Sequence, residues 1–181
     1  MVIILFLLQC FYFMMPAYFA NMAPVIVKDI FNKLAIPIDF GKKINGKEIF
    51  GKNKTFRGFI FAVVFGVIIA FLQFLLYRFD YFKMLSFIDY SNWLVLGILF
   101  GFGAIFGDLV KSFFKRRLNI SPGQRFVPWD QLDFVVGALV FVSFILEISW
   151  GKVVAILLIS FLGHIAVNHS AYSLGIRKEK W

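Results

Sequence analysis

Five apolar runs, about Val2–Val25, Phe59–Tyr77, Trp93–Val110, Phe134–Trp150 and Val153–Leu174, take up most of this chain of 181 residues. A helix needs roughly 20 residues to cross the hydrocarbon core of a bilayer. In lipid, every backbone N–H and C=O must find its partner within the protein, so runs of this length point to a bundle of spanning helices. The third and fourth runs are short, so helix must extend into the polar segments beside them. The expected fold is an all-α polytopic membrane protein with five transmembrane helices. One membrane-embedded domain, 1–181, is the natural count at this length. Composition agrees: 61% of residues are hydrophobic, against roughly 45–50% in soluble domains. The 26 Phe residues suit a surface that faces lipid tails, and the single cysteine, Cys10, excludes an intramolecular disulfide. The start Met1-Val2-Ile3-Ile4 lacks the basic segment of a cleaved signal peptide, so the first run reads as a retained helix. Tyr77, Tyr81, Tyr90, Trp93, Trp129, Trp150 and Trp181 mark span ends.

Charge gives the orientation. Eight basic residues lie between Lys28 and Arg57, five between Lys111 and Arg125, and three (Arg177, Lys178, Lys180) in the tail. Only Arg78, Lys83 and Lys152 remain for the other side. The positive-inside rule then places the N-terminus outside and the C-terminus in the cytoplasm, which an odd number of spans satisfies. The chain is expected in the cell membrane with two basic cytoplasmic segments, about 26–57 and 111–133. The net charge of +9 suits anionic headgroups and phosphates; no nucleic acid is expected. Gly97/Gly101 and Gly103/Gly107 are small-xxx-small pairs that let helix backbones approach, so the third span should be the central one.

Three segments carry chemistry. In the first basic loop, Asn45-Gly46 inside Lys43–Ile49 favours a type I′ hairpin turn. Phe50-Gly51-Lys52-Asn53-Lys54-Thr55-Phe56-Arg57-Gly58 then runs into the second span, with glycines to admit phosphate oxygens and cations to hold them. Gly46 to Lys52 nearly spells a Walker A loop, but Asn53 follows and no βαβ unit surrounds it. In the second segment Asp108, Lys111, Ser112 and Lys115 stand at i, i+3, i+4 and i+7, one helix face. An acid at a membrane helix centre costs roughly 2.5–3.5 kcal/mol, so Asp108 should face a cavity with partners. The third segment, Pro128-Trp129-Asp130-Gln131-Leu132-Asp133-Phe134, presents Asp130 and Asp133 three residues apart. A lone acid there would be only a helix-dipole partner. Three acids and two basic segments on one membrane face favour a nucleotide–metal site, with carboxylates reaching phosphate through Mg²⁺. His164, Asn168 and Tyr172 recur at i+4 in the last span and read as helix–helix hydrogen-bonding groups before cavity liners.

These segments resemble the membrane CTP:phosphatidate cytidylyltransferases: Gly107-Asp108-Leu109, Ser112-x-x-Lys115-Arg116 and Asp130-x-x-Asp133. The shorter archaeal branch, the CDP-archaeol synthases, is more similar still. Its pattern runs from Asp39-x-Gly41-Lys42 through Phe50 to Gly58, Gly107 to Arg117 and Gly123-Gln124, to Asp130 to Phe134. The Pro-x-His-Gly-Gly stretch of the bacterial signature is replaced by Arg125-Phe126-Val127-Pro128-Trp129, which argues against phosphatidate as substrate.

The resemblance implies transfer of CMP from CTP to 2,3-bis-O-geranylgeranyl-sn-glycerol 1-phosphate, forming CDP-archaeol and pyrophosphate. It implies catalytic roles for Lys54, Asp108, Lys115 and Asp133, and Mg²⁺ held by Asp108, Asp130 and Asp133. Gly51, Lys52, Asn53, Lys54, Thr55, Arg57, Lys111, Ser112, Lys115, Arg116 and Gln124 are the implied CTP- and phosphate-binding residues. CTP, a prenylated glycerol phosphate and the bilayer are the implied partners, and a homodimer is compatible with them. The alternatives are a phosphatidate cytidylyltransferase acting on ester lipids, a CTP-dependent polyprenol kinase, and a non-enzymatic small transporter or scaffold.

Overall fold

The computed structural model describes residues 2–121 and 124–173. Leu174, the basic tail and Trp181, and also Gly123, lie outside the described residues. Helix α1 covers Val2–Ile26, α2 Phe56–Leu76, α3 Asp80–Met84, α4 Trp93–Arg117, α5 Trp129–Val142 and α6 Trp150–Ser173. A one-turn 3-10 helix, Asn32–Leu34, and a hairpin of β1 (Lys43–Ile44) and β2 (Lys47–Glu48) fill the loop between α1 and α2. The hairpin turn has positive φ at both Asn45 and Gly46, as a type I′ turn requires.

Four helices, α1, α2, α4 and α6, are long and apolar enough to cross a membrane. The fourth apolar run behaves differently from its reading as Phe134–Trp150. Its helix starts five residues earlier, at Trp129, and stops at Val142 after 14 residues, about 21 Å of rise. The early start takes Asp130 and Asp133 into the first turns, where acids complement the helix dipole. At the other end Ser143 Oγ turns back to donate to the carbonyl of Val140 at 2.7 Å. Leu146 and Ile148 pack on the core from the non-helical connection that follows. Apolar periodicity cannot distinguish such a packed connection from more helix.

Helix α4 is the centre of the bundle, and its glycines make it so. A Cβ on Gly101 would lie 2.6 Å from Val63 Cα, and one on Gly66 2.6 Å from the Gly97 carbonyl, so α2 and α4 touch backbone to backbone. On another face, a Cβ on Gly103 would lie 2.7 Å from the Gly137 carbonyl of α5. Without a hydrophobic driving force between helices in lipid, such approaches supply the packing energy.

Helix α1 carries Pro16, which has no N–H to give the carbonyl of Tyr12 one turn earlier. That carbonyl instead accepts from Gln73 Nε2 of α2 at 2.6 Å, so a buried polar side chain repairs the break. Tyr18 and Ser160 share a hydrogen bond of 2.7 Å that joins α1 to α6.

Candidate functional site

The polar site forms at the end of the bundle where α4 finishes and α5 begins. Helical spacing puts Asp108, Lys111, Ser112 and Lys115 on one face of α4, and Asp108, Ser112 and Lys115 are all buried. The first turns of α5 bring in Asp130 and Asp133. Lys111 Nζ lies 3.1 Å from Asp108 Oδ1, 3.3 Å from Asp130 Oδ1 and 2.7 Å from Asp133 Oδ2. Lys115 Nζ lies 3.1 Å from Asp130 Oδ1 and donates to the Gln124 carbonyl at 2.5 Å. Asp130 Oδ2 also accepts from the Phe126 amide at 2.7 Å. The three acids that are scattered in sequence therefore meet at one place.

The loop before α2 reaches the same place because its backbone is clamped. Ile38 N donates to the Lys54 carbonyl at 2.8 Å and Phe56 N to the Ile36 carbonyl at 3.0 Å. Thr55 caps α2, its hydroxyl accepting from the Gly58 amide at 3.3 Å. Asp39 gathers the loop from inside: Oδ2 accepts from the amides of Phe50 (2.9 Å) and Gly51 (3.3 Å), and Oδ1 from Gly41 (2.9 Å). Burial opposes the charge on Asp39, but these amides prevail and hold its carboxyl below the ordinary range. Gly51 sits at φ 103°, a conformation that glycine tolerates and other residues resist. So held, the loop extends Lys54 Nζ to 2.5 Å from Asp108 Oδ2.

Between loop and helix lies a cavity of about 380 Å³, lined by Glu48, Phe50, Gly51, Lys52, Asn53, Lys54, Lys111, Ser112, Lys115 and Arg116. Most of the residues expected to hold phosphate line this one space. Three are placed elsewhere. Thr55 serves as the helix cap. Arg57 donates from Nη1 to the Ile30 carbonyl (3.0 Å) and Asn32 Oδ1 (3.1 Å), tying the start of the α1–α2 loop to α2. Gln124 turns its carboxamide oxygen to the Ser121 amide at 2.8 Å. His164 and Asn168 bond within α6 at 3.0 Å.

Sequence reasoning gave no role to Asp39 beyond its place in a motif, nor to Arg117. Arg117 donates to the carbonyls of Ile44 (3.2 Å), Lys47 (3.3 Å) and Glu48 (2.6 Å), and Lys47 Nζ donates back to the Arg117 carbonyl at 3.1 Å. These bonds seat the hairpin on the end of α4. For Asp39, the glycine two residues on was a readable turn signal.

Three carboxylates and three ammonium groups make up the cluster, so it is electrically balanced. Among the described residues the acids are joined through Lys111 and form no closed cage of metal ligands. Their chemistry still suits Mg²⁺, which takes hard oxygens and commonly needs one or two carboxylates beside phosphate. A phosphate that drew the lysines away would leave these oxygens open. The arrangement can therefore exchange internal ion pairs for a polyphosphate and its cation.

Comparison with known proteins converges on one group. A sequence model of the CarS-like CDP-archaeol synthases matches residues 2–181. The CDP-archaeol synthase of Pyrococcus horikoshii is 38% identical over 176 residues, covering 97% of each chain. That of Methanocaldococcus jannaschii is 36% identical over 172 residues, covering 94% of each. A solved structure of an intramembrane enzyme for archaeal membrane lipid biosynthesis matches with a TM-score of 0.72 at 28% identity, covering 87% of this chain and 90% of that one.

Proposed function

Because the chain belongs to the CDP-archaeol synthase family, a group of CTP-dependent cytidylyltransferases of archaeal lipid biosynthesis, we propose that the cavity between the Phe50–Lys54 loop and α4 is where it forms CDP-archaeol. The observation that carries this assignment is the convergence of Lys54, Lys111 and Lys115 with Asp108, Asp130 and Asp133 beside that cavity. The enzyme joins CMP from CTP to an archaeal lipid phosphate.

The lipid phosphate is already an anion, so the reaction asks for little proton removal. The obstacle is bringing two polyanions together. Lys52 and Lys54 receive the triphosphate from the loop side, and Lys115 and Arg116 hold the lipid phosphate or the departing pyrophosphate from the helix side. Lys111 moves from its carboxylates toward phosphate. Cations placed in this way act where negative charge shifts during transfer. When bound, Mg²⁺ would neutralise phosphate charge and polarise the attacked phosphorus; Asp130 and Asp133 would hold it, with Asp108 sharing it or keeping Lys54 in place. Positioning of the two reactants contributes the rest.

The same reading includes five crossings. Helix α5 is short, yet it carries the chain back along α4: Phe141 meets Phe102 at 4.9 Å between ring centroids, far from the acid cluster. The packed connection that follows then completes the passage to α6. With the N-terminus outside, the cavity faces the cytoplasm, where CTP is found, in the cell membrane.

The test is purified protein in detergent with labelled CTP, Mg²⁺ and paired ether and ester lipid phosphates. The expected products are CDP-archaeol and pyrophosphate, with the ether lipid preferred. Release of CDP instead would identify a kinase, and equal use of ester lipid would identify a phosphatidate enzyme.

A further inference from the structure

We propose that the apolar groove between α4 and α5 seats an isoprenoid chain of the lipid phosphate, with the phosphate end at Lys111; this rests on the cytidylyl-transfer reading above. The groove encloses about 520 Å³, within the range of small-molecule sites. Phe106, Val110 and Phe114 of α4 form one wall, and Trp129, Val136 and Val140 of α5 the other. Its floor is shallow backbone: Gly107 and Gly137 lie there, and a Cβ on Gly137 would come within 2.9 Å of Gly107 Cα. The glycines that bring the two helices together thus also leave room above their contact.

Lipid-facing apolar surface is ordinary in a membrane protein. This stretch is distinguished by what closes its inner wall. Asp133 and Lys111 both line it, although everything around them in the groove is apolar. Lys111 also lines the polar cavity, and among the described residues it is the one that borders both spaces. The groove is therefore continuous, through a single cation, with the place where phosphate is expected. An occupant must be apolar along its length, and its polar end meets Lys111 and Asp133; once Lys111 leaves its carboxylates, as the reading above requires, that end accepts an anion, which is the chemistry of a prenylated glycerol phosphate. Phe114, Trp129 and Val140 are each about half exposed, at 53%, 53% and 50%, so a chain can enter sideways from the bilayer without a helix having to part.

Two measurements test this. Val140→Trp would fill the groove away from the charged cluster. The apparent KM for the lipid phosphate is expected to rise at least tenfold while the KM for CTP stays within twofold. Ile68→Trp, on the exposed face of α2, is the control and should change neither. A lipid KM within twofold of the parent in Val140→Trp overturns the proposal. A readout independent of folding uses the unaltered protein with a prenylated glycerol phosphate that carries a diazirine on its chain. Crosslinks are expected in peptides holding Phe114 or Val140, suppressed by excess unlabelled prenylated glycerol phosphate and not by the matching prenyl alcohol. Crosslinks confined to other helices, or labelling that the phosphate lipid does not suppress, overturn it. The functional reading fails separately, if the unaltered protein forms no CDP-lipid from any lipid phosphate, and the crosslinking result stands apart from that outcome.

Discussion

Lys54 Nζ lies 2.5 Å from Asp108 Oδ2, so the loop ahead of α2 is fastened to the inner part of α4 by one ion pair. The two residues stand 54 positions apart, and the cavity lies between the elements they join. The side chains are 25% and 12% exposed, so solvent screens part of the attraction and the cost of desolvating the two charges offsets much of the rest. Its main consequence is the shape of the cavity. Lys54→Ala is expected to raise the apparent KM for CTP about tenfold or more, since charge-assisted bonds to phosphate are among the stronger ones. An unchanged KM would count against the triphosphate role of Lys54.

Asp133→Asn should reduce CDP-lipid formation by at least about a hundredfold, beyond the roughly 10–100-fold that losing only a ligand's support costs. The fold should persist, because Lys111 keeps Asp108 and Asp130 at 3.1 and 3.3 Å. The Mg²⁺ concentration for half-maximal residual activity should also rise. Normal turnover with unaltered Mg²⁺ dependence would remove Asp133 from the cation site.

Arg57→Ala separates structure from binding. Its guanidinium holds Ile30 and Asn32 of the loop, so the variant should unfold at a lower temperature and keep a KM for CTP within twofold. A tenfold rise in KM with unchanged melting would restore a phosphate role to Arg57.

Gly101→Leu should destabilise the bundle by about 1–3 kcal/mol, the usual cost of overpacking, because even a Cβ there meets Val63 Cα at 2.6 Å. Gly163→Ala in α6 has open space around it and should be neutral or stabilising by about 0.4–1 kcal/mol. Thermal unfolding in detergent compares the two, and equal melting temperatures would contradict the close α2–α4 contact.

Asp39 should make the loop sensitive to acid. Its carboxyl is lowered by amide hydrogen bonds in the folded loop, so the folded state binds its proton less readily than the unfolded one. Its stabilisation is then complete above the ordinary carboxylate value, about 3.9, and fades as pH falls through the lower native value. Amide exchange at Phe50 and Gly51 should therefore stay protected at neutral and mildly acidic pH and open only below that range. Asp39→Asn should open them already at neutral pH and weaken CTP binding. Protection unchanged in that variant would show that Asp39 does not hold the loop.

Much of this architecture could be read directly from residue spacing. The i, i+3, i+4, i+7 pattern from Asp108 to Lys115 needs only helical geometry to form one face, and the Asn45-Gly46 turn needs only the φ preferences of those residues. The paired glycines of α4 announced close packing, though not that Gly97 and Gly101 would serve α2 while Gly103 served α5. The end of α5 was not readable, because Phe144, Ile145, Leu146 and Ile148 continue the apolar run past Val142, while Leu146 and Ile148 pack on the core from a non-helical connection. Nor was the aim of Arg57: a cation beside a loop rich in glycine and lysine looks the same in sequence whichever way its side chain turns. The place of Lys111 amid three acids depended on how α4 and α5 dock, which no local pattern carries.

The repair of α1 at Pro16 links two residues that share no chemistry of catalysis. Gln73 has a use at its position because Pro16 leaves the Tyr12 carbonyl without its helical donor. Each residue alone would be a liability in lipid, one as a broken ladder and the other as a stranded amide. Their substitutions should therefore be epistatic: replacing Pro16 by Ala and Gln73 by Leu together should harm insertion and stability less than the sum of the two separate changes.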